Sequence, residues 1–310
     1  MKAIVATDRA AGTAGMKLEE RPEPQGSAGG GTPGDVVVQV HASGFTADEL
    51  AWPSTWVDRL GRDRTPSIPG HELAGVVAAL GYGTTGLSVG QRVFGLTDWT
   101  RDGALAESVA VEARNLAPLP GDVDFTVGAA LAMSGLTAWQ GLFEHGRLCA
   151  GQTVLVHGAA GVVGSMASQL AREAGAYVIG AGRASGRQTA LDFGAHEFVN
   201  LDGDALEDVG GVDLVFDVLG GDIAKRSAGL IRGGGTLVTI AGPTKARPAD
   251  GRTVDFVVVP DRAQLNEIVR RARDGRVRTN IGEVAALDDA VAAFNPTRRI
   301  KGKTIIRVRP

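Results

Sequence analysis

The chain has 310 residues, 44% hydrophobic and 22% charged, enough to bury one large or two ordinary cores. Its 32 Lys and Arg stand against 35 Asp and Glu, and the formal charge of −3 gives no field that would gather nucleic acid or anionic lipid. The single cysteine, Cys149, excludes a disulfide framework and a multi-cysteine metal site; it reads as a small core residue of a protein in a reducing compartment.

The N-terminal "MKAIVATDRA" carries an apolar run of four residues, too short for the apolar centre of a secretion signal. No segment approaches about 18 uninterrupted apolar residues, so no membrane span is expected and the cytoplasm is the expected location. The strand-like runs "AIVA", "DVVVQVHA", "LAGVVAAL", "QRVFGL" and "LAESVAV" follow, separated by Gly, Pro and Asp, and predict a β-rich module over about residues 1–120. Within it "PEPQGSAGGGTP", Pro22 to Pro33, reads as a mobile loop with no function assigned.

From about Gly121 the texture changes to apolar strands alternating with helical patterns, the signature of βαβ units on a parallel sheet, over 121–262. The expected strands are "TVLVHG", "AYVIGAG", "EFVNL", "VDLVFDV", "GTLVTIAG" and "DFVVV", with a helix at "RAQLNEIVRRARDG". Beyond it "IGEVAAL", a short helix "DDAVAAF" and "KTIIRV" return to the β-rich module over 263–310. The arginines of "IVRRARDGRVR" are interleaved with Glu267 and Asp274 and read as a solvated face, with no nucleic-acid partner.

The chemistry is concentrated at Val154–Arg183. Val154–His157 is a buried strand, and Val163, Met166, Ala167, Leu170, Ala171 and Ala174 recur on one helix face. Between them lies Ala159-x-Gly161-x-x-Gly164, a dinucleotide fingerprint with alanine at its first glycine, with Val162 and Val163 inside it. Such a turn needs close backbone approach to a pyrophosphate at Gly161, tight helix–strand packing at Gly164, and free N–H groups at the helix start. At the end of the next strand, where an NAD site offers an acid to the ribose, stands Gly182-Arg183-Ala184-Ser185-Gly186-Arg187. A cation and a hydroxyl without an acid suit a 2′-phosphate, so the expected cofactor is NADP(H), held by Arg183 with Ser185 and Arg187. Asp217 and Gly242, at the carboxyl ends of further strands, are expected cofactor contacts.

"PGHELAGVV" (Pro69–Val77), "GLTAWQGL" (Gly135–Leu142), "VLVHGAAGVVG", "VDLVFDVLGG" and "KGKTIIRV" together resemble the medium-chain dehydrogenase/reductase superfamily, in its zinc-independent, quinone-oxidoreductase-like, NADP-dependent branch. The resemblance implies an α/β protein: a doubly wound parallel Rossmann sheet joined to a GroES-like β-rich catalytic domain. Zinc members hold their metal with two cysteines and the His of Gly-His-Glu, places where this sequence has Thr46, His71 and Ser134, so no metal is expected. The implied reaction is hydride transfer to a quinone or α,β-unsaturated carbonyl. Thr46 and Thr137 are its expected cleft hydroxyls, His71 a possible proton donor beside a structural alternative, and Glu49 an acidic neighbour. Trp52, Trp56 and Trp99 suit either an aromatic slot for a flat acceptor or core packing. An enoyl reductase of polyketide or lipid metabolism, a zinc-dependent alcohol dehydrogenase and a non-catalytic NADPH-binding sensor or structural protein stay open. The resemblance also implies a homodimer joined through the last Rossmann strand, for which "DFVVV" is the sequence match.

Overall fold

Apolar, β-branched runs broken by Gly, Pro and Asp make the first third of the chain a set of short strands. In the computed structural model, which describes residues 1–24, 33–204, 206–298 and 300–309, these are β1 (Lys2–Ala6), β2 (Met16–Glu20), β3 (Asp35–Gly44), β4 (Glu72–Leu80), β5 (Arg92–Leu96), β6 (Ser108–Glu112) and β7 (Leu116–Pro118). Most of the Gly/Ser/Pro tract expected to be a mobile loop lies outside the described residues. Helix α1 (Phe125–Trp139) leads through a π-helical turn, Gln140–His145, into alternating strand and helix: β8 (Thr153–His157), α2 (Val162–Glu173), β9 (Tyr177–Gly182), α3 (Arg187–Asp192), β10 (Glu197–Asn200), β11 (Val212–Asp217), α4 (Gly221–Ala228), β12 (Ile231–Thr239) and β13 (Gly251–Asp255). The chain closes with α5 (Arg262–Arg273), β14 (Ile281–Ala286), α6 (Ala290–Phe294) and β15 (Lys303–Arg307).

Two compact units result. One comprises Met1–Met133, Pro260–Arg273 and Ile281–Pro310, the other Ser134–Val259 and Asp274–Asn280. The fold class is the expected one, a Rossmann-type parallel sheet and a GroES-like β-rich unit. The Rossmann-type unit holds six parallel strands in the order β10-β9-β8-β11-β12-β13. β8 and β11 are buried along nearly their whole length, as strands covered on both faces must be. The order reverses between β8 and β11, and ligands bind at the carboxyl ends of strands beside such a reversal.

The β-rich unit is antiparallel except at β14–β15, with the path β14-β15-β3-β4-β5-β7, β6 paired to β3, and a separate β1–β2 hairpin. Three expectations need correction. The sixth Rossmann strand is Gly251–Asp255, not "DFVVV"; beyond Asp255 the chain leaves the sheet, with Val257 and Val259 exposed. Register with β12 sets that strand, and Gly251 fits where a Cβ would lie 2.6 Å from the Gly235 carbonyl oxygen. Cys149 is exposed, because it sits in the turn that leads to β8 instead of in the strand. On α2, Met166, Ala167, Leu170 and Ala171 are buried as expected, but the buried face turns towards Gly164, Ser165 and Ser168 and leaves Val163 and Ala174 half-buried.

Arginines of the C-terminal run, expected to form a solvated face, are paired with carboxylates. Arg270 and Arg271 both meet Glu267, Arg273 meets Asp122, and Arg276 meets Glu173 and Asp274. Inside the β-rich unit, the Lys303 ammonium is paired with Glu72, joining the starts of β15 and β4 across β3. The pair passes over Gly44, where a Cβ would lie 2.8 Å from both Glu72 Oε1 and Lys303 Cε.

Removing one member of such a buried pair leaves the other charge uncompensated. Lys303→Met should destabilise this unit by about 3 kcal/mol, and adding Glu72→Gln should recover most of the loss. Urea unfolding of the two variants checks this; equal stability of Lys303→Met and wild type would refute it.

Candidate functional site

The turn between β8 and α2 is built by close backbone approach. Gly158 (φ +62°) turns the chain, its carbonyl accepts the Gly161 N–H at 2.7 Å, and Gly161 caps α2. A Cβ at Gly164 would lie 2.2 Å from the Gly158 carbonyl oxygen, so only glycine lets α2 sit this near the strand end. Gly161 is exposed, Val162 and Val163 are half-buried in the first helical turn, and Ala159 is fully buried with its N–H on the Ala181 carbonyl. The unpaired N–H groups of the first turn therefore face outward beside an exposed glycine, the arrangement a pyrophosphate requires. The residues present fit a dinucleotide.

At the end of β9, Gly182 is half-buried, and Arg183, Ser185 and Arg187 are exposed on the loop entering α3. Among the described residues the Arg183 guanidinium makes no hydrogen bond or ion pair, whereas Arg187 Nη1 donates to the Phe198 carbonyl at 3.1 Å. Gly242 (φ +96°) follows β12 with open space around it. Thr137 is buried in α1.

Asp217 ends β11 at the expected position, yet it is fully buried and its carboxylate is taken up by protein donors. Oδ1 accepts from His157 Nδ1 at 2.7 Å and from the N–H groups of Leu219 and Gly220 at 3.0 Å. Oδ2 accepts from Gly220 N–H at 3.1 Å and Thr239 Oγ1 at 2.8 Å. Burial alone would raise its pKa, but the hydrogen bond and charge of His157, with the Gly220 and Leu219 N–H groups, outweigh this and hold it down to about 2. This network is not among the expectations drawn from the sequence. Its one signal was a histidine at the end of an otherwise apolar strand.

In the β-rich unit, His71 is 1% exposed, with Nδ1 2.6 Å from Thr97 Oγ1. Trp52 stacks on it at 6.4 Å between centroids, Trp99 meets it edge-on at 5.2 Å, and the two half-buried indoles meet each other at 5.4 Å. Trp56 belongs to the core instead, its indole N–H on the Leu50 carbonyl. Burial, together with the Arg64 charge, lowers His71 to about 3. Glu49 lies 4.0 Å from His71 Nε2 and is pushed up to about 8 by burial, against the N–H bonds from Gly70 and Thr46. At neutral pH both groups are uncharged, so this contact is no ion pair. Thr46 is half-buried at the start of the turn that carries Glu49.

Among the described residues no group of three or more His, Cys, Asp or Glu is placed to hold a metal ion. His71 offers one imidazole, already bonded to Thr97, and the places that the resemblance gives to zinc-binding thiolates hold the hydroxyls of Thr46 and Ser134. That donor set does not fit Zn²⁺, which takes three protein ligands in catalytic sites.

Folded His71 takes up no proton until about pH 3, whereas the unfolded imidazole does so near 6.5, so its contribution to stability falls as pH drops through that window. In an NMR titration its ring protons should show no midpoint near 6.5. A midpoint there would contradict the buried, neutral ring.

Residues 32–121 match the alcohol dehydrogenase GroES-like domain family, and 193–306 the zinc-binding dehydrogenase family. Quinone oxidoreductase of Rattus norvegicus is 32% identical over 225 residues, which are 69% of this chain and 67% of that protein. The spectinabilin polyketide synthase system protein NorB of Streptomyces orinoci is 36% identical over 224 residues, 70% of this chain and 10% of that protein. The solved quinone oxidoreductase of Pseudomonas syringae pv. Tomato DC3000 has a TM-score of 0.86 at 25% identity, covering 99% of each chain. No helix among the described residues is long and apolar enough to cross a membrane. The chain belongs to the medium-chain dehydrogenase/reductase superfamily as a quinone-oxidoreductase-like oxidoreductase, of a family that depends on nicotinamide dinucleotides.

Proposed function

We propose that this protein is an NADPH-dependent reductase that works without a metal and reduces a quinone or an α,β-unsaturated carbonyl. The observation that carries the reading is the end of β9, where Arg183 is exposed and uncommitted and no carboxylate stands ready for a ribose hydroxyl. A guanidinium fork and the Ser185 hydroxyl suit the extra phosphate of NADPH, with Arg187 in support. Gly161 keeps a side chain away from the pyrophosphate, Gly164 lets α2 sit against the strand end, the first N–H groups of α2 bind the phosphates, and Gly182 and Gly242 leave room for the rest of the nucleotide.

The reduced nicotinamide supplies a hydride, and the acceptor must tolerate the charge that develops on its oxygen. With one neutral imidazole and hydroxyls in place of thiolates, the described residues offer no strong electrophile for a simple alcohol–ketone exchange; a conjugated acceptor, which spreads the charge itself, fits better. Trp52 and Trp99 offer it flat apolar walls, and His71, buried against both indoles, holds them in place. The product oxygen takes its proton from solvent or from a hydroxyl such as that of Thr46 or Thr137.

A second reading, an enoyl reductase of polyketide or lipid metabolism, is favoured by the likeness to NorB. A panel of acceptors separates the two. Initial rates of NADPH and NADH oxidation by EDTA-treated protein should prefer NADPH and survive chelation; the better substrates, quinones or linear enones, then choose between the readings. Loss of turnover on chelation, restored by Zn²⁺, would return the protein to zinc-dependent alcohol chemistry, and tight NADPH binding without turnover of any acceptor would favour a sensor or structural role. Arg183→Ala should cut the NADPH preference by roughly ten- to a hundredfold while leaving NADH turnover unchanged. We also propose a homodimer joined through the sheet edge at β13, for which sedimentation should give twice the chain mass.

A further inference from the structure

Ser227, His157 and Asp217 lie in the order of a nucleophile, base and orienter. Ser227 Oγ is 2.8 Å from His157 Nε2, and His157 Nδ1 is 2.7 Å from Asp217 Oδ1. All three are 0% exposed, so the serine meets no substrate and the chain of bonds has another use. Its members come from three strands of one sheet and a helix: His157 from the end of β8, Asp217 from the end of β11, Thr239 from the end of β12 and Ser227 from α4. These are the strands on either side of the reversal in strand order.

The carboxylate accepts five hydrogen bonds, and three of them come from the backbone of the turn after β11. That turn is held in a conformation few residues adopt, with φ of +70° at Gly220 and +59° at Gly221. Glycine at 220 also allows close approach, since a Cβ there would lie 2.9 Å from the Ala241 Cβ. The turn in its place puts Val218 against the dinucleotide turn: a Cβ on Gly158 would lie 2.6 Å from Val218 Cγ2. Gly158 in turn supplies the carbonyl that receives the Gly161 N–H and packs on Gly164.

We propose that Asp217, braced by His157 and Thr239, is a positioning residue for the cofactor, acting through the Val218–Gly221 turn on the Gly158–Gly164 turn without touching the nucleotide. This rests on the dinucleotide reading of unit Ser134–Val259. The clamp carries no feature that distinguishes a 2′-phosphate from a hydroxyl, so its loss weakens NADPH and NADH equally. That separates it from Arg183, whose loss weakens NADPH alone.

The test uses the full-length protein and titrates NADPH and NADH by fluorescence well below the melting temperature, together with kcat and KM. Asp217→Asn, which turns one acceptor oxygen into a donor facing N–H groups, should raise both dissociation constants by a common factor of about ten; Thr239→Val, which removes one of the five bonds, should do so by about three. In both variants kcat at saturating cofactor should stay within about twofold of wild type while KM for the cofactor rises. Thr239→Val decides the matter where Asp217→Asn fails to fold. Wild-type dissociation constants in folded variants, with only the melting temperature lowered, overturn the proposal, as does weakening confined to NADPH. A wild-type protein that binds neither dinucleotide takes down the cofactor reading and this inference with it.

Discussion

The carbonyl oxygen of Gly158 and the α-carbon of Gly164 are so close that a single methyl group between them would lie 2.2 Å from the oxygen. The Rossmann-type unit is arranged around this approach. It sets α2 tight on β8, turns the first helical N–H groups outward and leaves Gly161 bare. The neighbouring turn after β11 rests on the same glycine through Val218, so two strand-to-helix turns share one packing constraint. A larger residue at 158 would push against the turn after β11, and one at 164 would push α2 off β8.

The two units handle buried charge in opposite ways. Glu49 is fully buried with only the N–H groups of Gly70 and Thr46 to serve it, and it rises to about 8 and stays protonated at neutral pH. Asp217 is as deeply buried, but donors from two strand ends and a turn surround it, and it falls to about 2. The difference lies in the supply of donors, since burial acts on both in the same direction. Glu72, also raised by burial, is the intermediate case, with the Lys303 ammonium and the Met133 N–H opposing the shift. The β-rich unit thus keeps its interior nearly free of net charge around the indoles, while the other keeps a permanent anion beneath its ligand turns.

Much of this was legible in the sequence. The alternation of apolar strand and helical period located five of the six parallel strands, and the glycine spacing after Val154–His157 located the turn, because both depend on local pattern. What escaped depends on partners far along the chain. The sixth strand, Gly251–Asp255, is polar and glycine-led, and only its pairing with β12 makes it a strand, whereas the apolar run after it forms no strand and makes only isolated bonds, such as that of the Phe256 N–H to the Thr239 carbonyl. Asp217 reads as a cofactor contact and nothing local marks Lys303 or Glu72 as buried, yet each is held by a residue at least 22 positions away. Cys149, small and apolar in composition, is exposed because a turn needed that place.

The β-rich unit is assembled from three stretches of chain, and β3 pairs with β15, which lies some 260 residues further on. Until Lys303–Arg307 has left the ribosome, β3 lacks its partner on that side, and the Lys303 ammonium that answers Glu72 does not yet exist. The six parallel strands, by contrast, are all complete by residue 255. Synthesis therefore completes the six parallel strands first and leaves the other unit with an open sheet margin and an unanswered carboxyl group until β15 arrives. For that interval the nascent protein depends on the rest of its own chain, or on a chaperone, to cover an edge it cannot yet close.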